Sequence, residues 1–116
     1  MKIAATSYGI ELKSEISSDF SNADYFLIVD TNDMRGTVAV KNPHKKQING
    51  AEIFGALLII SYDVNLVITG YCTPNAIRIF NAAGIEVIKE CSGSVENNLF
   101  KLFNYQPHLD KNNYGE

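Results

Sequence analysis

Between Asn65 and Ile88 the sequence spells a strand, a capped helix and a second strand, and this succession constrains the fold more than any other feature. Asn65 to Thr69 (NLVIT) is a short apolar run closed by Gly70. Thr73-Pro74 then offers a side-chain cap for the first free amides and a proline suited to the first helical turn, so a helix is predicted over Pro74 to Ala83. Gly84 can take the left-handed conformation that ends a helix, and Ile85 to Ile88 supplies the next strand. Two strands joined by a helix lie parallel in one sheet, which places the chain in the α/β class.

The remaining elements extend that sheet. Lys2 to Thr6 reads as a first strand ending at Ser7-Tyr8-Gly9. Tyr25 to Asp30 (YFLIVD) and Gly36 to Lys41 (GTVAVK), separated by the polar turn Thr31 to Arg35, read as a hairpin. Gly50 to Ser61 places Ile53, Leu57 and Ile60 on one stripe at helical spacing, widened by Ala56 and Leu58, and this stripe is expected to face the sheet. Ser94 is positioned to cap a last helix running to about Tyr105, with Glu96 near the positive end of its dipole. The order β-β-β-α-β-α-β-α predicts a mixed five-stranded sheet with helices on both faces, a three-layer order that ribonuclease H-like folds use. A chain of 116 residues leaves room for one core, assigned to residues 1–105. Residues 106–116 carry too little apolar surface to hold themselves down and are expected to form a flexible tail.

Composition excludes several functions. A net charge of −3 has the wrong sign to drive binding to nucleic-acid phosphates. The longest apolar run, Ala56 to Ile60 with its neighbours, is far short of a membrane span. The N-terminus passes from Lys2 straight into a strand, without the pattern of a signal peptide, which predicts a cytoplasmic address and reduced thiols.

In the expected topology the first, third, fourth and fifth strands end on one edge, where open α/β sheets bind ligands. Cys72 leaves the fourth strand and Cys91 the fifth, so the topology is expected to bring them near each other as thiolate donors. The helix starts at Thr73 and Ser94 aim amides at the same edge, and Lys41, His44, Lys45 and Lys46 add positive charge and an imidazole. Blander readings stand beside these. Isolated cysteines also serve as small buried hydrophobes, His44 also fits a solvated loop, and His108 falls in the expected tail. There is no Gly-x-Ser-x-Gly, no P-loop and no histidine pair at metal spacing. Asp30 and Asp33 suggest a nuclease only weakly, because Asp30 ends a strand pointing away from this edge.

Leu66-Val67-Ile68-Thr69-Gly70, Pro74-Asn75-Ala76, Ala82 to Val87 and Gly93-Ser94-Val95-Glu96 resemble, in order and spacing, the series of the dinitrogenase iron-molybdenum cofactor biosynthesis (NifX-type) family. Met1 to Ala5, Ser17 to Phe20, Ala23 to Asp30, Asn42-Pro43 and Gly50-Ala51 follow its outline more loosely, so the resemblance covers residues 1–105. It implies a ribonuclease H-like fold without the nuclease site. It also implies a non-enzymatic role in binding or carrying iron-molybdenum cofactor or an iron-sulfur precursor between donor and acceptor proteins. At the shared strand-exit edge the candidate cofactor-binding residues are Cys72, Thr73, Asn75, Cys91, Gly93, Ser94, His44 and Lys45, with Cys72, Cys91 or His44 expected as metal donors. The chain departs from the family where Asp19 precedes Phe20 and Ser21-Asn22 follows it, in place of a histidine and Gly-Arg, and where Thr73 replaces the glycine before Pro-Asn-Ala. A regulatory or interaction domain for a small anionic metabolite or a protein, without metal, is the alternative.

Overall fold

A computed structural model describes residues 1–45 and 50–104. Its elements are β1 (Lys2–Ser7), β2 (Tyr25–Asp30), β3 (Asp33–Lys41), α1 (Ala51–Ile60), β4 (Leu66–Ile68), α2 (Pro74–Ala82), β5 (Glu86–Ile88) and α3 (Val95–Asn104). A single tight helical turn, Phe20–Asn22, interrupts the long connector from β1 to β2. The five strands form one mixed sheet in the order β3-β2-β1-β4-β5. β1 is antiparallel to β2, and β2 to β3, while β1, β4 and β5 are parallel. The α/β class, the mixed sheet and the helices on both faces agree with the sequence reading, and the expected tail and Lys46 lie outside the described residues.

Strand alternation divides the interior into two layers. Ala4, Phe26, Ile28 and Val67 point to one side and meet Ala56 and Ile59 of α1 and Ala76 and Phe80 of α2. Ile3, Ala5, Leu27, Val29, Leu66 and Ile68 point to the other and meet Val95 and Leu99 of α3. β1 and β4 are buried on both faces, which is why their sequences are apolar runs rather than alternations. Phe20, on the tight turn, stacks on Phe26 with ring centroids 5.8 Å apart and meets Phe80 edge-on at 5.6 Å, tying the connector to the first layer.

The expected stripe on α1 needs correction. The inward residues are Gly55, Ala56 and Ile59, whereas Ile53 and Leu57 are exposed. Gly55 sits against the rings of Phe20 and Phe26, and this close approach rotates the larger side chains outward. A helix apolar around most of its circumference carries no strong periodic signal, so the sequence alone did not identify the buried face.

Candidate functional site

Because β1, β4 and β5 are parallel and β3 runs with β1, their carboxyl ends do share one edge. Much of that edge is closed by the connector. The Ser17 amide donates to Thr6 O at 3.1 Å, Gly70 N to Ser17 O at 3.1 Å, Tyr71 N to Ser18 O at 2.8 Å, and Phe20 N to Tyr71 O at 2.8 Å. Beneath this lacing the buried hydroxyls of Thr6 and Thr69 bond to each other at 2.8 Å.

The helix starts are satisfied from within the chain. The Val95 and Glu96 amides donate to the carbonyls of Ser14 and Leu12 at 2.9 and 2.8 Å, and the Ser94 hydroxyl accepts from Asn97 N at 3.0 Å. At α2 the Thr73 hydroxyl accepts from Ala76 N at 3.2 Å and its carbonyl from Ile77 N at 3.0 Å. Asn75 is exposed and accepts from the Arg78 guanidinium. Gly93 adopts φ +86° and its carbonyl accepts from Ile16 N. Thr73 and Ser94 thus act as the expected caps, but the α3 amides that would hold an anion are already engaged.

The two cysteines are not brought together. Cys72 is 2% exposed in the layer under α1 and α2, whereas Cys91 is half-buried against the layer under α3. The sheet separates them, because consecutive strand exits turned their side chains to opposite faces. Burial, then the negative charges of Glu52 and Asp19, push the Cys72 thiol up to about 11. Burial also raises Cys91, whose thiol is 3.5 Å from the Ile88 carbonyl oxygen. Both are therefore thiols rather than thiolates at neutral pH. His44 is partly exposed in the loop after β3, its ring stacked on Phe54 at 5.1 Å. Among the described residues no three His, Cys, Asp or Glu side chains are grouped to hold a metal ion. His108 lies outside the described residues.

The open part of the edge is a cleft of about 710 Å³ beside the ends of β1 and β3, lined by Tyr8, Asp24, Tyr25, Lys41, Asn42, Pro43 and Lys45. Asn42 builds its floor. Its amide donates to Asp24 O at 3.0 Å, its side-chain nitrogen to Ala23 O at 2.9 Å, and its side-chain oxygen accepts from His44 N at 3.1 Å. This turn presents Lys45, paired with Asp24, and His44 together. Tyr8 closes the opposite wall, its phenolic oxygen accepting from Ser18 N at 3.0 Å and bonded to the Ser18 hydroxyl at 2.9 Å. Those bonds lower the Tyr8 pKa. Of this lining the sequence reading had singled out Lys41 and Lys45, and had put the loops that hold Tyr8 and Asn42 on this edge without singling out either residue, whereas Asp24 was not anticipated. Asn42-Pro43 was visible as a turn signal, whereas the approach of Asp24 depends on strand pairing. Lys45 is paired with Asp24, which leaves Lys41 as the remaining charged group of the lining.

Fold and cleft together define a small α/β domain with a cleft at its strand-exit edge. A model of the family described as dinitrogenase iron-molybdenum cofactor matches residues 1–105, and the chain belongs to that family. Its fold is similar to the apo form of the orange protein from Desulfovibrio gigas, at 27% identity and a TM-score of 0.85, covering 90% of this chain and 88% of that one. It is also similar to a putative NifB protein from Thermotoga, described as belonging to the DUF35 family, at 26% identity and a TM-score of 0.77, covering 90% and 89%. Among curated proteins none matches.

Proposed function

We propose that this chain is a non-enzymatic carrier that takes iron-molybdenum cofactor, or an iron-sulfur precursor of it, as anionic cargo in the cytoplasm. The family match over residues 1–105 carries this reading, and the strand order supports a ribonuclease H-like arrangement for the domain. Donor and acceptor proteins are the partners the proposal requires, with no role for nucleic acid or a membrane. Among the described residues no helix is long and apolar enough to cross one.

The separated, protonated cysteines favour receipt of a preassembled cluster over assembly on thiolates. Lys41 and Lys45 would supply charge, and His44 the accessible metal donor, with Cys91 as a second donor after local opening. In this reading Thr73, Asn75, Gly93 and Ser94 shape the neighbouring loops, and Cys72 takes no part in the first encounter. Anaerobic gel filtration with extracted iron-molybdenum cofactor tests it through molybdenum and iron analysis of the protein peak. Comigration that weakens in Lys41→Glu and His44→Ala is expected, and metal-free wild-type protein would refute the reading.

The metal-free alternative draws on one observation, the aromatic and lysine-lined cleft, where no three His, Cys, Asp or Glu side chains are grouped among the described residues. A melting temperature raised by a phosphate-bearing metabolite, independently of iron or molybdenum, would favour it.

A further inference from the structure

The cleft carries its own counter-ion. Lys45 Nζ donates to Asp24 Oδ1, and the two side chains remain 38% and 37% exposed. Backbone bonds fix Asp24 in the cleft: its amide donates to Ser7 O at 3.1 Å and its carbonyl accepts from Asn42 N at 3.0 Å. Lys45 reaches the carboxylate on a long, rotatable stem from the turn that Asn42 builds. Lys41, at the end of β3 and across from Tyr25, has no carboxylate within ion-pair distance among the described residues. The lining therefore holds one net positive charge, although it contains two lysines.

We propose that Asp24 is an internal competitor for the cargo: it holds Lys45 until an anion takes the lysine over, and reclaims the lysine when the anion leaves. An ion pair this open to water is weak, because solvent screens it and both side chains lose freedom in forming it. It therefore yields to an anion of two or more charges, which meets Lys41 and Lys45 at once. A singly charged anion has less to gain, since taking Lys45 would leave Asp24 unpaired beside it. Release is assisted in turn, because Lys45 passes back to Asp24 instead of standing unpaired in the cleft. Affinity is held below what two unopposed lysines would give, and exchange is fast, as a carrier requires. This competition matters only where the cleft takes anionic cargo, the reading proposed above, and Asp24 then sets how tightly that cargo is held.

Isothermal titration calorimetry of the full chain with pyrophosphate tests the competition in a double-mutant cycle. Asp24→Asn keeps the shape and the backbone bonds of residue 24, and it should lower Kd about five-fold by freeing Lys45 and removing a nearby negative charge. Lys45→Gln should raise Kd. In that background the gain from Asp24→Asn should shrink to about two-fold or less, because no lysine is left to compete for. Asp63→Asn makes the same charge change on the turn after α1, at the far end of the sheet, and should leave Kd within about two-fold of wild type.

A Kd unchanged by Asp24→Asn, a gain that survives Lys45→Gln in full, an equal gain from Asp63→Asn, or no pyrophosphate binding by Asp24→Asn would overturn the competition. Extracted iron-molybdenum cofactor separates that failure from failure of the carrier reading. Comigration with the wild type beside an unresponsive Asp24→Asn removes the competition alone, whereas no comigration beside a tightened Asp24→Asn removes the carrier role alone.

Discussion

Gly70 shows what a single position contributes to this edge. A Cβ there would lie 2.5 Å from Ser18 O and 2.6 Å from Ser17 O, both backbone atoms that cannot swing aside. The glycine is required by proximity, because the connector crosses β4 at this point and bonds to it on both sides. Gly70→Ala therefore has to push the connector off β4, and overpacking of this kind should cost about 2–3 kcal/mol. Gly84 is a useful contrast. It has φ +78° and open space around its Cβ position, so Gly84→Ala should cost only about 1 kcal/mol, from left-handed backbone strain. Urea denaturation of both variants measures the difference, and equal losses would show that the connector yields freely. In the sequence Gly70 is visible only as the end of a strand, since the crowding comes from residues fifty positions earlier.

The elements were legible wherever their signals are local. Thr73-Pro74 and Gly84 marked α2 to within a residue, and Ser94 marked the start of α3. β3 begins at Asp33, earlier than the expected Gly36, because pairing with Asp30 draws turn residues into the strand. What could not be read was tertiary: the tight turn at Phe20, the inward face of α1, and the use of α3 amides by Ser14 and Leu12. Cys72 and Cys91 were correctly placed at strand exits, yet their facing depends on how each loop leaves the sheet. The doubled support of α3 has a measurable consequence. Ser94→Ala removes the acceptor for Asn97 N and should cost about 1 kcal/mol, while the bonds from Val95 and Glu96 keep the helix start in place. A chemical melt should record that modest loss with native helical content retained, and loss of the helix would mean that the connector contributes little there.

At the scale of the whole molecule, one titratable thiol in each of two core layers couples folding to alkaline pH. Cys72 ionises near its ordinary value of 9.0 when the chain is unfolded, and near 11 when folded. Below pH 9 both states hold the proton and the full stability is present. Above it the unfolded chain binds fewer protons than the folded one, so stability falls as pH rises, by up to about 1.4 kcal/mol per pH unit. The loss from Cys72 levels off above pH 11, at about 2–3 kcal/mol in total. Cys91, also raised, acts in the same direction, whereas Tyr8, lowered by its bonds to Ser18, opposes it. Urea titrations from pH 7.5 to 11, roughly the window these shifts define, should show the decline, and Cys72→Ala should flatten most of it at some cost in packing. Maleimide labelling at pH 8, about one unit below the ordinary thiol value, separates the two sites. Half-buried Cys91 should react first, and Cys72 only at the rate at which the layer beneath α1 and α2 opens. If Cys72 instead reacts as fast as a peptide thiol, or the Cys72→Ala variant keeps the same alkaline slope, the thiol is not held in the interior, and Cys72 returns as a donor at the surface of the cargo site.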